Sequence, residues 1–160
     1  FYAHCLILLF CLPVSFGLHA LEKGDTLDES LLRKLNYQSG SILVVDFFAE
    51  WCESCSKELP LISALNTRLS GNKEVSFLGV DTDDDLSVAE AFQQSLQAKG
   101  ALNFPVINDL DQSIVQQFKP MGFPALYLIQ DGKIASVHLG ATANIDQVIE
   151  DDLKKLLKEK

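Results

Sequence analysis

Two cysteines, Cys52 and Cys55, stand three positions apart in the run Trp51-Cys52-Glu53-Ser54-Cys55. A pair at this spacing can cycle between dithiol and disulfide. The attacking species in that exchange is the thiolate. A helix N-terminus, with free N–H groups and partial positive charge, favours an anion there. The chemistry therefore asks for a helix that begins at Cys52. Cys55 then lies one turn deeper on the same face, within disulfide reach. Cys52 takes the role of nucleophile. Cys55 is the resolving thiol that attacks the mixed disulfide and releases the substrate. The residues just before the pair suit this arrangement, since Ile42 to Val45 is an apolar, largely β-branched run of the kind that forms a buried strand.

Plainer readings of the pair are weaker. A structural zinc site takes four ligands, and this chain has no second C-x-x-C. A static disulfide across so short a loop removes little chain entropy. No metal and no other cofactor is expected.

The remaining cysteines place the pair in a compartment. Cys5 and Cys11 lie in an almost wholly apolar stretch, Cys5 to Leu18, too short for a comfortable bilayer span but suited to the core of a signal peptide. Small residues at Ser15 and Gly17 allow cleavage after Gly17. We expect residues 1–20 to be a leader or N-terminal anchor and residues 21–160 to form one domain. The chain opens at Phe1 and its single methionine is Met121, so a further upstream segment is also expected. Export implies an oxidising location, and the mature chain keeps only Cys52 and Cys55. With 48% apolar and 22% charged residues the domain should be globular. A net charge of −9 argues against nucleic acid and against anionic lipid as partners.

The elements that position the pair follow from pattern. Thr26-Leu27-Asp28-Glu29 reads as a capping box for a helix from Leu27 to Leu35, with Thr26 as cap. Ile42 to Phe48 is the central strand. A helix runs from Cys52 to about Leu69, kinked at Pro60, with Leu59, Ile62, Leu65 and Leu69 as its buried stripe. Val75 to Val80 is a parallel strand, and Asp81 to Asp85 an acidic loop. Ser87 to Glu90 reads as a second capping box for a helix to about Lys99. Phe104 to Ile107 is a strand and Asp111 to Phe118 a short helix. Ala125 to Ile129 and Lys133 to Leu139 form a hairpin about Asp131-Gly132, and Asn144 caps the last helix. Asp46 is a charge inside a strand otherwise built for burial. It is either a solvated edge residue or a buried carboxyl with a purpose. His138 is expected as an ordinary strand residue.

The segment V-D-F-F-A-E-W-C-x-x-C resembles the active-site strand and helix of thioredoxins. The runs C-S-K-E-L-P, N-F-P-V-I-N-D and G-F-P-A-L-Y-L-I-Q-D-G-K-I are similar to the TlpA/ResA-type thiol–disulfide proteins of the bacterial cell envelope. The resemblance covers about Leu35 to the C-terminus. It implies an α/β thioredoxin-like fold, a central mixed sheet flanked by helices, with a helix–strand insertion between Asp83 and Asp109. It implies a cis Phe123–Pro124 bond facing the cysteines, whose backbone pairs with a substrate strand while Trp51 and Phe123 flank it. It makes Asp46 the buried acid beneath the pair, relaying a proton to or from Cys55. It places an acidic residue after the second strand to tune thiol acidity, Asp84 or else Asp83. As partners it implies protein disulfides of the envelope, apocytochrome c among them, and a membrane thiol-reductant donor of the DsbD type.

Glu53 bears on direction. A carboxylate beside Cys52 disfavours the thiolate, and a less stabilised thiolate makes a less oxidising disulfide. Glu50, Glu53 and Asp84 all push toward a reductase. The alternatives are a disulfide oxidase or isomerase, or a redox-inert binding or chaperone module whose cysteines would not cycle.

Overall fold

The computed structural model describes residues 19–159, so most of the expected leader lies outside the described residues. Among the described residues no helix is long and apolar enough to cross a membrane.

The fold is built on strand β1, Ile42–Phe48, in which all seven residues are buried. A strand covered on both faces must be apolar almost throughout, and this one is, except at Asp46. Its alternate side chains serve two cores. Ile42, Val44 and Phe48 join one cluster with Cys52, Cys55, Leu59, Ile62, Leu65, Ile145, Ile149 and Leu153. Leu43, Val45 and Phe47 join the other with Leu31, Leu35, Ile114, Phe118 and Tyr127.

Helix α1, Glu29–Lys34, packs Leu31 into the second core. Helix α2, Glu53–Arg68, and the C-terminal helix α5, Ile145–Lys158, cover the first. Between them in sequence come β2 (Val75–Asp81), α3 (Leu86–Ala98), β3 (Val106–Asn108), α4 (Val115–Phe118), β4 (Ala125–Gln130) and β5 (Lys133–Leu139). The sheet order is β3-β2-β1-β4-β5. β1, β2 and β3 run parallel; β4 pairs antiparallel with β1, and β5 antiparallel with β4. The expected insertion is present as α3 and β3. The parallel register sets Phe48 beside Asp81. The loops leaving β1 and β2 therefore emerge side by side, at the crevice where α/β sheets hold their chemistry. The β4–β5 turn is as expected, with Asp131 and Gly132 both at positive φ (52° and 70°), the requirement of a two-residue type I′ turn.

Four local expectations need correction. The cap of α1 is Asp28, whose Oδ1 accepts from the Leu31 N–H at 2.7 Å, and Thr26 instead bridges to Lys133. The cap of α3 is Asp85, which accepts from Ser87 and Val88 N–H, not Ser87 itself. β3 starts at Val106, because Phe104 turns into the first core. α4 is only Val115–Phe118, since Asp109 takes the Ile114 and Val115 N–H groups. Asn144 sits at the cap position of α5 without a side-chain bond.

Gly79, opposite Asp46 on β2, shows how tightly the sheet is filled. A Cβ there would lie 2.7 Å from Cε1 of Phe48 and 3.2 Å from Cγ2 of Val106. Phe48 is fully buried and its ring packs against Phe92, so it has nowhere to retreat. Gly79→Ala should destabilise the oxidised protein by about 1–3 kcal/mol through overpacking. Urea denaturation checks this, and an unchanged midpoint would contradict the packing described.

Candidate active site

Cys52 is the N-cap of α2, with extended backbone at φ −89° and ψ 92°. Its Sγ accepts from the Cys55 N–H at 3.2 Å. The sulfur thus occupies the place of a capping oxygen, among the unpaired N–H groups of the first turn. Cys52 and Cys55 are joined in a disulfide, with their Cα atoms 5.3 Å apart. Of the pair, Cys52 is 6% exposed and Cys55 1%. Cys52 is thus the outer residue of the pair and Cys55 the inner one.

Trp51, just before the pair, is 63% exposed. Its ring meets that of Phe123, centroid to centroid, at 5.3 Å. Phe123–Pro124 is the cis bond expected of it. The Pro124 carbonyl is held by the Gly140 N–H at 2.9 Å. The two loops implied by the resemblance are therefore brought together, with Trp51 and Phe123 as the contact.

Two carboxyl groups are buried near each other on the α2 side of the sheet. Asp46 is 4% exposed and, by strand alternation, shares the α2 face of β1 with Val44 and Phe48. The solvated-edge reading is overturned, because β1 is the central strand. Burial drives the Asp46 carboxyl well above the usual carboxylate range, and the nearby negative charge of Glu58 adds to the effect. Glu58 is itself 6% exposed. Burial pushes its carboxyl up also, opposed by a hydrogen bond from the Thr142 N–H and by His138. His138 stands in β5, paired with Asp152 at 2.8 Å.

Glu58 was not singled out in the sequence, although a signal was there. It follows Cys55 by three positions and precedes Ile62 by four, so it continues the buried stripe of α2. Reading that stripe through apolar residues alone passes over it.

The acidic loop after β2 divides its residues. Asp84 is exposed. Asp83, 7% exposed, accepts from the Glu50 N–H at 2.8 Å and so fastens the loop two residues before Cys52. Asp81 in turn accepts from the Asp83 N–H at 3.0 Å and from Gln93 at 2.8 Å. Burial, with the neighbouring Asp83 carboxyl, raises Asp81 to about 6. Glu53 lies on the exposed side of α2, paired with Lys57 at 2.7 Å, and that partner lowers its pKa.

A thioredoxin-like family model matches residues 40–134. The chain belongs to the thioredoxin-like family. Among curated relatives it is 29% identical over 119 residues to the thiol-disulfide oxidoreductase ResA of Bacillus thuringiensis, covering 73% of this chain and 64% of that one. The chain thus spans somewhat less than two thirds of that relative's length. Among solved structures, a Chlorobium tepidum protein described as a DsbE thiol:disulfide interchange protein superposes with a TM-score of 0.70 at 23% identity, over 85% of this chain and 98% of that one. A secreted disulfide oxidoreductase of Mycobacterium tuberculosis does so with a TM-score of 0.60 at 25% identity, over 77% and 85%. The five-stranded mixed sheet flanked by helices is the thioredoxin-like fold expected from the sequence.

The position of Asp46 has a consequence for stability. An acid whose folded pKa lies above its unfolded value, about 4, stabilises the fold fully below that value. That contribution is lost as pH rises through the folded pKa. Replacement by Asn removes the penalty. The unfolding free energy of Asp46→Asn relative to the parent should therefore shift in favour of the variant between pH 4 and pH 8. Denaturant titrations of the oxidised proteins at the two pH values check this; an equal difference at both would contradict a buried, neutralised Asp46.

Proposed function

We propose that this protein is a thiol–disulfide oxidoreductase that works as a reductase on disulfides of exported polypeptides. The observation that carries the reading is a disulfide at the first turn of α2, the helix on whose side of the sheet two carboxyl groups are buried. The relatives named thiol-disulfide oxidoreductases support it, as does the cis bond before Pro124.

In the reduced protein the Cys52 thiolate attacks one sulfur of a substrate disulfide. A mixed disulfide forms and one substrate thiolate leaves, taking a proton. Cys55 then gives its proton to the Asp46 carboxylate and attacks the Cys52 sulfur. The second substrate sulfur leaves as a thiolate and takes up a proton that Asp46 gives back, and the Cys52–Cys55 disulfide remains. Two electrons pass from the protein to the substrate. An acid with a raised pKa suits this proton transfer at neutral pH. Burial holds Asp46 in that range, and like-charge repulsion from Glu58 adds to it. Asp83 positions the loop that carries Trp51 and Cys52 through Glu50, a role closer to the pair than that of exposed Asp84. Glu53 contributes its charge from the surface, tempered by Lys57.

The substrate strand lies along Phe123 and Pro124, with Trp51 beside it. Restoring the dithiol in an oxidising compartment requires a membrane thiol donor of the DsbD type. The secreted mycobacterial relative supports export, with residues 1–20 as leader or anchor. Apocytochrome c is one client that this setting would supply.

Two measurements test the reading. Cys55→Ser should accumulate a mixed disulfide with an oxidised peptide, seen by intact mass, whereas Cys52→Ser should not. Asp46→Asn should slow peptide disulfide reduction by about tenfold or more with little loss of fold. Unchanged turnover across pH 6 to 9 would remove Asp46 from the mechanism.

A further inference from the structure

Beside the disulfide, on the Trp51 side, the surface forms a concavity of about 500 Å³. Its walls are Trp51, Phe123 and Val115; Asp83, Asp84 and Gln112 also line it. The position follows from the fold. Trp51 leaves β1, Asp83 and Asp84 leave β2, and Phe123 enters β4, all at the same end of the sheet.

The chemistry of the lining is one-sided. The two rings stand 5.3 Å apart and are tilted by 56° rather than stacked face to face. The Gln112 amide nitrogen is committed, donating to the carbonyls of Thr82 (2.8 Å) and Asp109 (3.2 Å). Asp83 is engaged with the Glu50 N–H. Asp84 is exposed, and among the described residues it has no hydrogen bond and no ion pair. The lining holds no Lys and no Arg. An anionic occupant would face Asp84 and Asp83 without a counter-charge. A cation would meet a free carboxylate and two aromatic rings, which attract it through their quadrupoles. The chain as a whole carries −9, which favours approach of a basic partner.

We propose that this concavity is a specificity subsite for a basic side chain, Lys or Arg, lying next to the reacting cysteine of the substrate polypeptide. The inference rests on the reductase reading and names the class of substrate that the same site prefers. Trp51 adjoins Cys52, and Phe123 adjoins the cis bond along which the substrate runs. A substrate residue next to the attacked cysteine is therefore the one within reach of the pocket. The aromatic rings carry the aliphatic stem of that residue and Asp84 meets its charged end.

The test uses the reduced full chain and three disulfide peptides, identical except for Arg, Gln or Glu beside each cysteine. The expected order of kcat/KM is Arg above Gln above Glu, with Arg about fivefold over Gln at low salt. The preference should narrow as salt is raised. Asp84→Asn, at an exposed position, should bring the Arg-to-Gln ratio toward one, and Asp84→Glu should keep it. Phe123→Leu should lower the ratio through loss of a ring. Equal rates on the three peptides, or a ratio that survives Asp84→Asn, would overturn the subsite while leaving the reductase reading in place. Failure to reduce any of the peptides would overturn both.

Discussion

Cys52 has to serve two structural purposes at once, and much of the domain follows from that. It ends the loop that leaves β1, and its sulfur caps the helix that carries Cys55. A helix can start at that point only if β1 stops just before it and the helix then lies back across the sheet. The apolar stripe of α2 holds it there, through Leu59, Ile62 and Leu65 against Val44 and Phe48. Because β2 is parallel to β1, the loop after β2 emerges beside the same point and can fasten Glu50 through Asp83. The sheet thus delivers a sulfur, a helix terminus and an anchoring carboxylate to one place.

The electrostatics oppose one another across the disulfide. The N-terminus of α2 favours a thiolate at Cys52. Asp46 and Glu58, buried below, oppose additional negative charge and are themselves driven toward the protonated form. Glu53, between the cysteines in sequence, is exposed and paired with Lys57.

What could be read from the sequence was what burial dictates. β1 and β4 are nearly continuous apolar runs because both of their faces are covered, and their limits were legible for that reason. The hairpin turn was legible because Asp131-Gly132 tolerates positive φ. The caps of α1 and α3 were not. In each segment two residues could accept the N–H bonds, and the choice depends on contacts remote in sequence, such as the Thr26 bridge to Lys133. β3 was displaced because an edge strand takes its register from its partner, and the Gly79 N–H pairs with the Pro105 carbonyl. At the site, the cysteines, Asp46 and the cis bond could be anticipated from motif. Glu58 was passed over although its spacing from Cys55 and Ile62 sets it on the buried stripe of α2, and the division between Asp83 and Asp84 could not be read, since only the course of the β2 loop decides which carboxylate faces inward.

The account stands on a dithiol kept reducing by the acids around it, and the reduction potential of the Cys52–Cys55 pair tests that most directly. Equilibration with glutathione buffers, followed by thiol trapping, gives the value. The account predicts a potential near or below about −220 mV, in the range of glutaredoxins and thioredoxin. A potential near about −120 mV, that of the strong oxidant DsbA, would contradict it and make the protein a donor of disulfides.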